Sequence, residues 1–227
     1  MGAISFSLDE KLLGLLSREL PLRTFFETGT FKGESLRLAR QFFPECHSVE
    51  LSPEYHAAAV KNFAGQNGIH LHQGESPAHL RRHQAQLAAA PTLFWLDAHW
   101  CVADHTAGAN SQSPLLGELQ AIGSLHPQSA ILIDDARLYL CPPPAPHRAL
   151  DWPDFHAIAQ ALLALSSAHR LMILNDVILF FPASAQPAIA RFAHEHGADW
   201  LHLATLARKY QAKKERLRRL NPFRSKR

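Results

Sequence analysis

Along the chain, short apolar runs alternate with longer stretches whose apolar positions fall three and four residues apart. The runs at 24–27, 48–51, 69–72, 93–97 and 130–134 predict strands. Helical spacing at 34–43, 53–66, 77–89 and 115–125 fills the gaps between them. Such strand–helix repetition implies a parallel sheet with helices on both faces. Ahead of it, Ser7-Leu8-Asp9-Glu10 reads as a capping box, with Ser7 as N-cap and Glu10 three residues on. It opens an amphipathic stretch through Leu12, Leu13, Leu15, Leu16 and Leu20 that Pro21 ends. A further helix is expected at 152–167. The runs at 171–174 and 177–181 are then separated only by Asn175-Asp176, so they must form an antiparallel hairpin. Helical patterns at 185–196 and 203–220 complete an α/β chain with a seven-stranded, mostly parallel sheet.

Composition adds little to that picture except through charge. The 227 residues are 47% hydrophobic and 19% charged, as in ordinary soluble domains. No apolar run is long enough to span a bilayer, and Asp9, Glu10 and Lys11 interrupt any signal-peptide layout. Phe6 stands where a myristoylation motif after Gly2 needs Ser or Thr. A cytoplasmic protein is the expectation, with Cys46, Cys101 and Cys141 as separate reduced thiols. The 15 histidines are scattered. The close pairs His70/His72 and His194/His196 lack a Cys or second His pair at zinc-finger spacing, so no structural metal is expected there. The net charge of +3 conceals ten Lys/Arg against Glu215 alone from Arg208 to Arg227. A mildly acidic domain at 1–207 therefore carries a basic tail at 208–227. That tail is expected to form a helix with a disordered end, and to make weak contact with an anionic membrane surface or nucleic acid.

The sharpest motif is Phe25-Phe26-Glu27-Thr28-Gly29-Thr30-Phe31-Lys32-Gly33-Glu34-Ser35, an apolar strand running through a glycine-bearing turn into a helix. Gly29 permits a tight turn and close approach to a ligand, and Gly33 lets the helix start lie against the strand. Glu50 ends the second strand, where an acid accepts hydrogen bonds from ribose hydroxyls in nucleotide-binding sheets. Gly74-Glu75-Ser76 ends the third. All three features fall beyond the carboxyl ends of strands, where such sheets bind their ligands. The acidic-x-Gly-x-x-x-Gly pattern resembles the first motif of class I S-adenosylmethionine-dependent methyltransferases, with Phe31 in place of the usual middle glycine. The resemblance implies a Rossmann-like fold binding S-adenosylmethionine. It implies cofactor contacts at Glu27 (toward the methionine end), Thr28, Gly29, Thr30, Gly33, Ser35, Glu50, Leu51, Gly74, Glu75, Ser76 and Asp97.

A second constellation pairs Phe94-Trp95-Leu96-Asp97-Ala98-His99-Trp100 with Ile131-Leu132-Ile133-Asp134-Asp135-Ala136-Arg137. Both are apolar strands that stop in acid, and adjacent strand ends bring Asp97, Asp134 and Asp135 together. Three such carboxylates raise one another's pKa unless a cation intervenes, and Mg²⁺ or another hard divalent ion satisfies them. The arrangement resembles catechol-type metal-dependent O-methyltransferases, which carry an Asp-Asn pair where this chain has Asp134-Asp135. That resemblance implies a metal at Asp97, Asp134 and Asp135. His99, two residues past Asp97, is the candidate base for an acceptor hydroxyl, with Asp97 beside it. The catechol family places a lysine near that position, and this chain does not.

The string from Glu-Thr-Gly through Leu-Asp-Ala-His-Trp to Ile-Asp-Asp-Ala-Arg is also similar to small bacterial methyltransferase-like proteins, some of whose relatives act on sugars or glycans. The expected activity is O-methylation of a small polar acceptor, a sugar or glycan precursor ahead of a phenol. Three alternatives stand beside it, of which nucleic-acid methylation lacks the Asn-Pro-Pro-Tyr-like strand end that base-methylating enzymes often carry after the fourth strand. A nicotinamide-dependent oxidoreductase would need Gly-x-Gly-x-x-Gly, which the Gly29–Gly33 turn lacks. A non-catalytic nucleotide-binding module acting through its basic tail would have no use for converging carboxylates. Two loops are expected at the acceptor rim: a small, polar candidate lid at 102–113 and the proline-rich segment at 141–147.

Overall fold

The computed structural model describes residues 8–100 and 111–220, with side chains through 214 in the last helix. Helix α1 (Glu10–Glu19) leads into β1 (Thr24–Thr28), α2 (Glu34–Ala39), β2 (Glu45–Glu50), α3 (Pro53–Asn62) and β3 (Ile69–Gln73). Then follow α4 (Ser76–Ala89), β4 (Thr92–Leu96), α5 (Leu115–Ile122), β5 (Ala130–Ile133) and the short α6 (Arg137–Leu140). Helix α7 (Phe155–Leu165) precedes β6 (His169–Leu174) and β7 (Val177–Pro182), and α8 (Gln186–His196) and α9 (Trp200–Leu220) end the chain.

The seven strands form one sheet in the order β3-β2-β1-β4-β5-β7-β6. β1 to β5 run parallel, and β7 pairs antiparallel with both β5 and β6. The Asn175-Asp176 turn dictates this, because two residues join only antiparallel neighbours. Asn175 takes the left-handed backbone such turns require, at φ 58°. Strands β1, β4 and β5 are apolar on both faces, and two cores lie on either side of them. One gathers Leu13, Leu16, Phe25, Phe43, Trp95, Leu132 and Phe181 beneath α1, α2 and α8. The other gathers Phe26, Leu80, Phe94, Leu119, Ile131, Ile158 and Phe180 beneath α4, α5 and α7. Burying such side chains contributes about 1.5–3 kcal/mol each.

Several boundaries differ from the pattern-based expectation. The N-cap of α1 is Asp9, which accepts from the Leu12 amide at 2.8 Å, so Ser7 is not the cap; Ser7 itself lies outside the described residues. Helix α5 stops at Ile122 because Gly123 turns at φ 62°, and α3 stops before Gly65 at φ 76°. Helix α7 starts at Phe155, capped by Asp154, which leaves Trp152 in the preceding loop. The basic segment is helical to Leu220, and 221–227 lie outside the described residues, as do Cys101 and 102–110 of the expected lid. Among the described residues no helix is long and apolar enough to cross a membrane.

Candidate functional site

The carboxyl ends of β1, β2, β3, β4 and β5 are tied into one rim by hydrogen bonds running past the strands. Gly29 N–H donates to Val49 O (2.9 Å), Gly74 N–H to Glu50 O (2.9 Å), Asp97 N–H to Thr28 O (3.1 Å), and Asp134 N–H to Leu96 O (3.2 Å). Every residue singled out from the strand ends thus reaches the same edge.

On the β1–β2 side the turn is built around two glutamates with different tasks. Glu27 is fully buried, and its two carboxylate oxygens accept from Ser48 Oγ (2.6 Å) and Ser35 Oγ (2.7 Å). Thr30 Oγ1 lies 2.5 Å from Ser48 Oγ and extends the network. Burial pushes Glu27 up to about 7, against those hydrogen bonds. Glu27 therefore braces the turn from beneath and offers no exposed oxygen to a ligand. Glu50 faces the rim: one oxygen accepts from Phe31 N–H and the other from Ser52 N–H, each at 2.8 Å. Two backbone amides orient this carboxylate while leaving lone pairs for a diol.

Gly29 stands at φ 85°, and a Cβ there would come within 2.4 Å of Asp97 O. No side chain fits between the β1 and β4 ends, so glycine is required here for the turn to pack against the end of β4. Gly33, at φ 71°, leaves room only for the Phe63 ring. Phe31, where related motifs carry glycine, also takes a positive φ of 45° and packs its ring 4.7 Å from that of Tyr55. Leu51 is exposed beyond Glu50, and Glu75 is the exposed N-cap of α4.

Two buried acids at the rim escaped the sequence reading. Glu118, on α5, is 1% exposed and accepts from Ser76 Oγ at 2.5 Å; Thr28 also donates to it. Burial pushes it up to about 7. Its signal was a charge on the apolar stripe of Leu115, Leu119 and Ile122. The other is Asp176. The antiparallel register of β7 against β5 returns the hairpin turn to the rim, where Asp176 accepts from Arg137 N–H at 2.9 Å and pairs with its guanidinium.

On the β4–β5 side Asp97, Asp134 and Asp135 do come together. Burial raises the Asp97 carboxyl well above its usual range, and the charges of Asp134, Asp135 and Glu27 raise it further. His99 Nε2 lies 3.3 Å from Asp97 Oδ1 and 3.4 Å from Asp135 Oδ2, without hydrogen-bond alignment to either. Its Nδ1 is 3.3 Å from Trp100 O, to which only an N–H can donate. His99 is thus held behind the acids: its side chain is 6% exposed, whereas that of Asp97 is 30% exposed. Burial lowers the His99 pKa and keeps the ring neutral.

A divalent metal does not fit this donor set. Arg137 Nη1 donates to Asp135 Oδ1 at 2.6 Å and also pairs with Asp176, so a guanidinium already balances the Asp134-Asp135 turn. Among the described residues, Asp97, Asp134 and Asp135 do not form a group whose ligand oxygens all lie within 4.8 Å of one another. Next to the acids is an aromatic wall. The Trp152 ring lies 5.4 Å from His99, 5.5 Å from Tyr139 and 5.3 Å from His147, and His147 lies 5.3 Å from Trp100. The proline-rich segment does reach the rim, through His147.

This topology is that of a known architecture. The fold is that of the class I methyltransferases. An O-methyltransferase from Bacillus cereus, solved with S-adenosylhomocysteine, superposes with a TM-score of 0.53 over 78% of this chain and 84% of its own, at 12% identity. A Klebsiella pneumoniae protein assigned to the O-methyltransferases gives 0.53 at 16% identity, over 80% of this chain and 84% of that one. A Staphylococcus aureus protein assigned as a caffeoyl-CoA O-methyltransferase gives 0.52 at 13% identity, over 77% and 84%. No protein-family model matches the chain, and no curated protein matches it in sequence.

Proposed function

We propose that the protein is an S-adenosylmethionine-dependent O-methyltransferase that works without a metal step. The observation that carries this reading is Glu50, held by the Phe31 and Ser52 amides beside a Gly29 cradle that admits no Cβ. An acid so placed accepts both hydroxyls of a ribose. The bound cofactor supplies an activated methyl group, so the chain's own task is to align a nucleophile and take its proton.

Asp97 is the candidate base. Its raised pKa suits proton uptake, and its carboxylate is the more open member of the pair with His99. With Nδ1–H directed to Trp100 O, His99 Nε2 is left as a lone pair behind the Asp97 carboxylate. Oxygen–carbon bond formation at the acceptor is then matched by cleavage of the sulfonium–methyl bond, and the proton passes to Asp97. Trp100 and His147 meet edge to face beside the buried Trp152, and these two half-buried rings are the side chains proposed to meet a sugar or phenol acceptor. The Bacillus cereus protein, solved with S-adenosylhomocysteine, supports the cofactor assignment. The basic segment 208–227 is proposed to rest on an anionic surface, with Trp200, Leu201 and Tyr210 exposed on the same helix.

Calorimetry on the purified chain tests the reading. Saturable binding of S-adenosylmethionine and S-adenosylhomocysteine is expected, with none of a nicotinamide dinucleotide. The reverse pattern would overturn it.

A further inference from the structure

Away from the rim, on the side of the sheet covered by α4, the β2–β3 edge carries a group of histidines. Strand β3 alternates Ile69-His70-Leu71-His72, so the apolar residues join one core and both imidazoles face the other way. The parallel register sets His47 beside His70, and Glu45 lies two residues earlier on the same face of β2. Helix α4 adds His79 and His83, four residues apart on one side. The His47 ring stacks 4.5 Å from His70 and 5.6 Å from His72. His72 in turn lies 5.2 Å from His79 and 5.3 Å from His83.

We propose that Glu45, His47 and His70 form a binding site for a borderline divalent transition-metal ion of the Zn²⁺ class, with His72 as a positioning residue. The ligand atoms of the three all lie within 4.8 Å of one another. A tetrahedral ion with ligands at about 2.0–2.2 Å sets neighbouring ligand atoms roughly 3.4 Å apart. His70 Nε2 and Glu45 Oε2 are 2.8 Å apart, so an ion replacing the proton between them requires only a small opening. His47 Nδ1 and His72 Nε2 are 3.3 Å apart. Donation from Nδ1 leaves the His47 Nε2 lone pair free for the ion and fixes its ring, as outer partners of ligating histidines do. Two imidazoles and a carboxylate favour zinc, nickel or copper over magnesium.

A second observation points the same way. His79 is 7% exposed; its Nε2–H donates to Gln73 O at 3.0 Å, and its buried Nδ1 has no partner. His83 donates Nδ1–H to His79 O at 2.9 Å, which leaves its Nε2 as a lone pair. His79 and His83 have therefore used their donors and each keeps one ring nitrogen as an acceptor. Spacing along the chain hid the site, because its members come from two strands brought into register only by folding.

The site is independent of the methyltransferase reading, and zinc titration of the untagged full-length chain after chelator dialysis tests it. One saturable equivalent of Zn²⁺ is expected. His70→Gln and Glu45→Gln, both at exposed positions that folding tolerates, should each weaken it at least about tenfold. S-adenosylhomocysteine binding should be the same in both variants. Absence of saturable zinc binding would overturn the proposal. So would unchanged affinity in both variants, or zinc binding lost in Asp97→Asn and retained in His70→Gln, which would place the ion at the rim.

Discussion

Replacing Glu118 with Gln should make the protein more stable at pH 8 and leave it nearly unchanged at pH 4. Glu118 is buried beneath the rim, where it accepts from Ser76 and Thr28. Its folded pKa is about 7, against an ordinary value of 4.5, because burial disfavours the ionised form. The native state therefore holds a proton that the unfolded chain has already released between pH 4.5 and 7. Stability conferred by that proton is fully present below the unfolded value, declines as pH rises through the window and is gone above the folded value. A tenfold change in proton affinity is worth about 1.4 kcal/mol, so the loss amounts to ~3 kcal/mol.

Gln is the neutral isostere of the protonated acid and keeps an oxygen to accept from Ser76. At pH 8 the variant avoids the ionised carboxylate and should gain up to ~3 kcal/mol, less about 1 kcal/mol for any misaligned hydrogen bond. Glu27, also raised to about 7, and Asp97 contribute with the same sign and the lowered His47 and His72 with the opposite one, so the effect of Glu118 is read as the difference between variant and wild type at each pH. Urea unfolding of ligand-free protein at pH 4, 6 and 8 reads this directly. A variant equally destabilised at all three values, with the wild-type slope intact, would refute the assignment of a protonated buried acid.

Glu50→Ala should weaken S-adenosylhomocysteine binding by about 1.5–3 kcal/mol in calorimetry, the range for a lost charge-assisted hydrogen bond. Gly29→Ala should destabilise by about 2–4 kcal/mol in thermal unfolding, since it combines a left-handed backbone with a Cβ 2.4 Å from Asp97 O. Asp97→Asn should slow turnover about 10²–10⁴-fold and, as Asp97 is also an expected cofactor contact, weaken cofactor binding; wild-type activity should survive chelator, and loss in chelator would restore a metal at the acids. Removing 208–227 should reduce sedimentation with anionic vesicles, each basic residue near the surface contributing on the order of 1 kcal/mol. Equal pelleting of both forms would exclude the membrane contact.

The sheet was legible because its evidence is local. Apolar runs such as Leu93–Leu96 and Ala130–Ile133 punctuated by acid, and a two-residue turn at Asn175-Asp176, constrain topology without any knowledge of distant contacts. Helix ends were less so, since Gly123 and Asp154 act through backbone angles and caps that a periodicity does not register. Glu50 and the Gly29 turn were readable for the same reason as the strands: each marks a strand end, and parallel strands align their ends. The role of Glu27 was not, because its position in the motif says nothing of whether its oxygens point to a ligand or to Ser35 and Ser48.

The acidic rim shows where reading by proximity in sequence stops. Asp97, Asp134 and Asp135 converge as expected, and convergence does demand positive charge. The demand does not specify its source. Arg137 follows Asp135 by two residues, yet it is drawn across the turn only because Asp176, 39 residues farther on, is delivered to the same edge by the antiparallel hairpin. The charge balance is therefore a property of the β5–β7 pairing, which a motif ending at Arg137 does not contain. With the guanidinium shared between Asp135 and Asp176, and the neutral His99 ring packed against Asp97 and Asp135, the Asp97 side chain is more open than those of Asp135 and Asp176. One guanidinium set against several acids leaves the Asp97 carboxyl with a raised pKa, and that is why the base is assigned to Asp97 with His99 behind it.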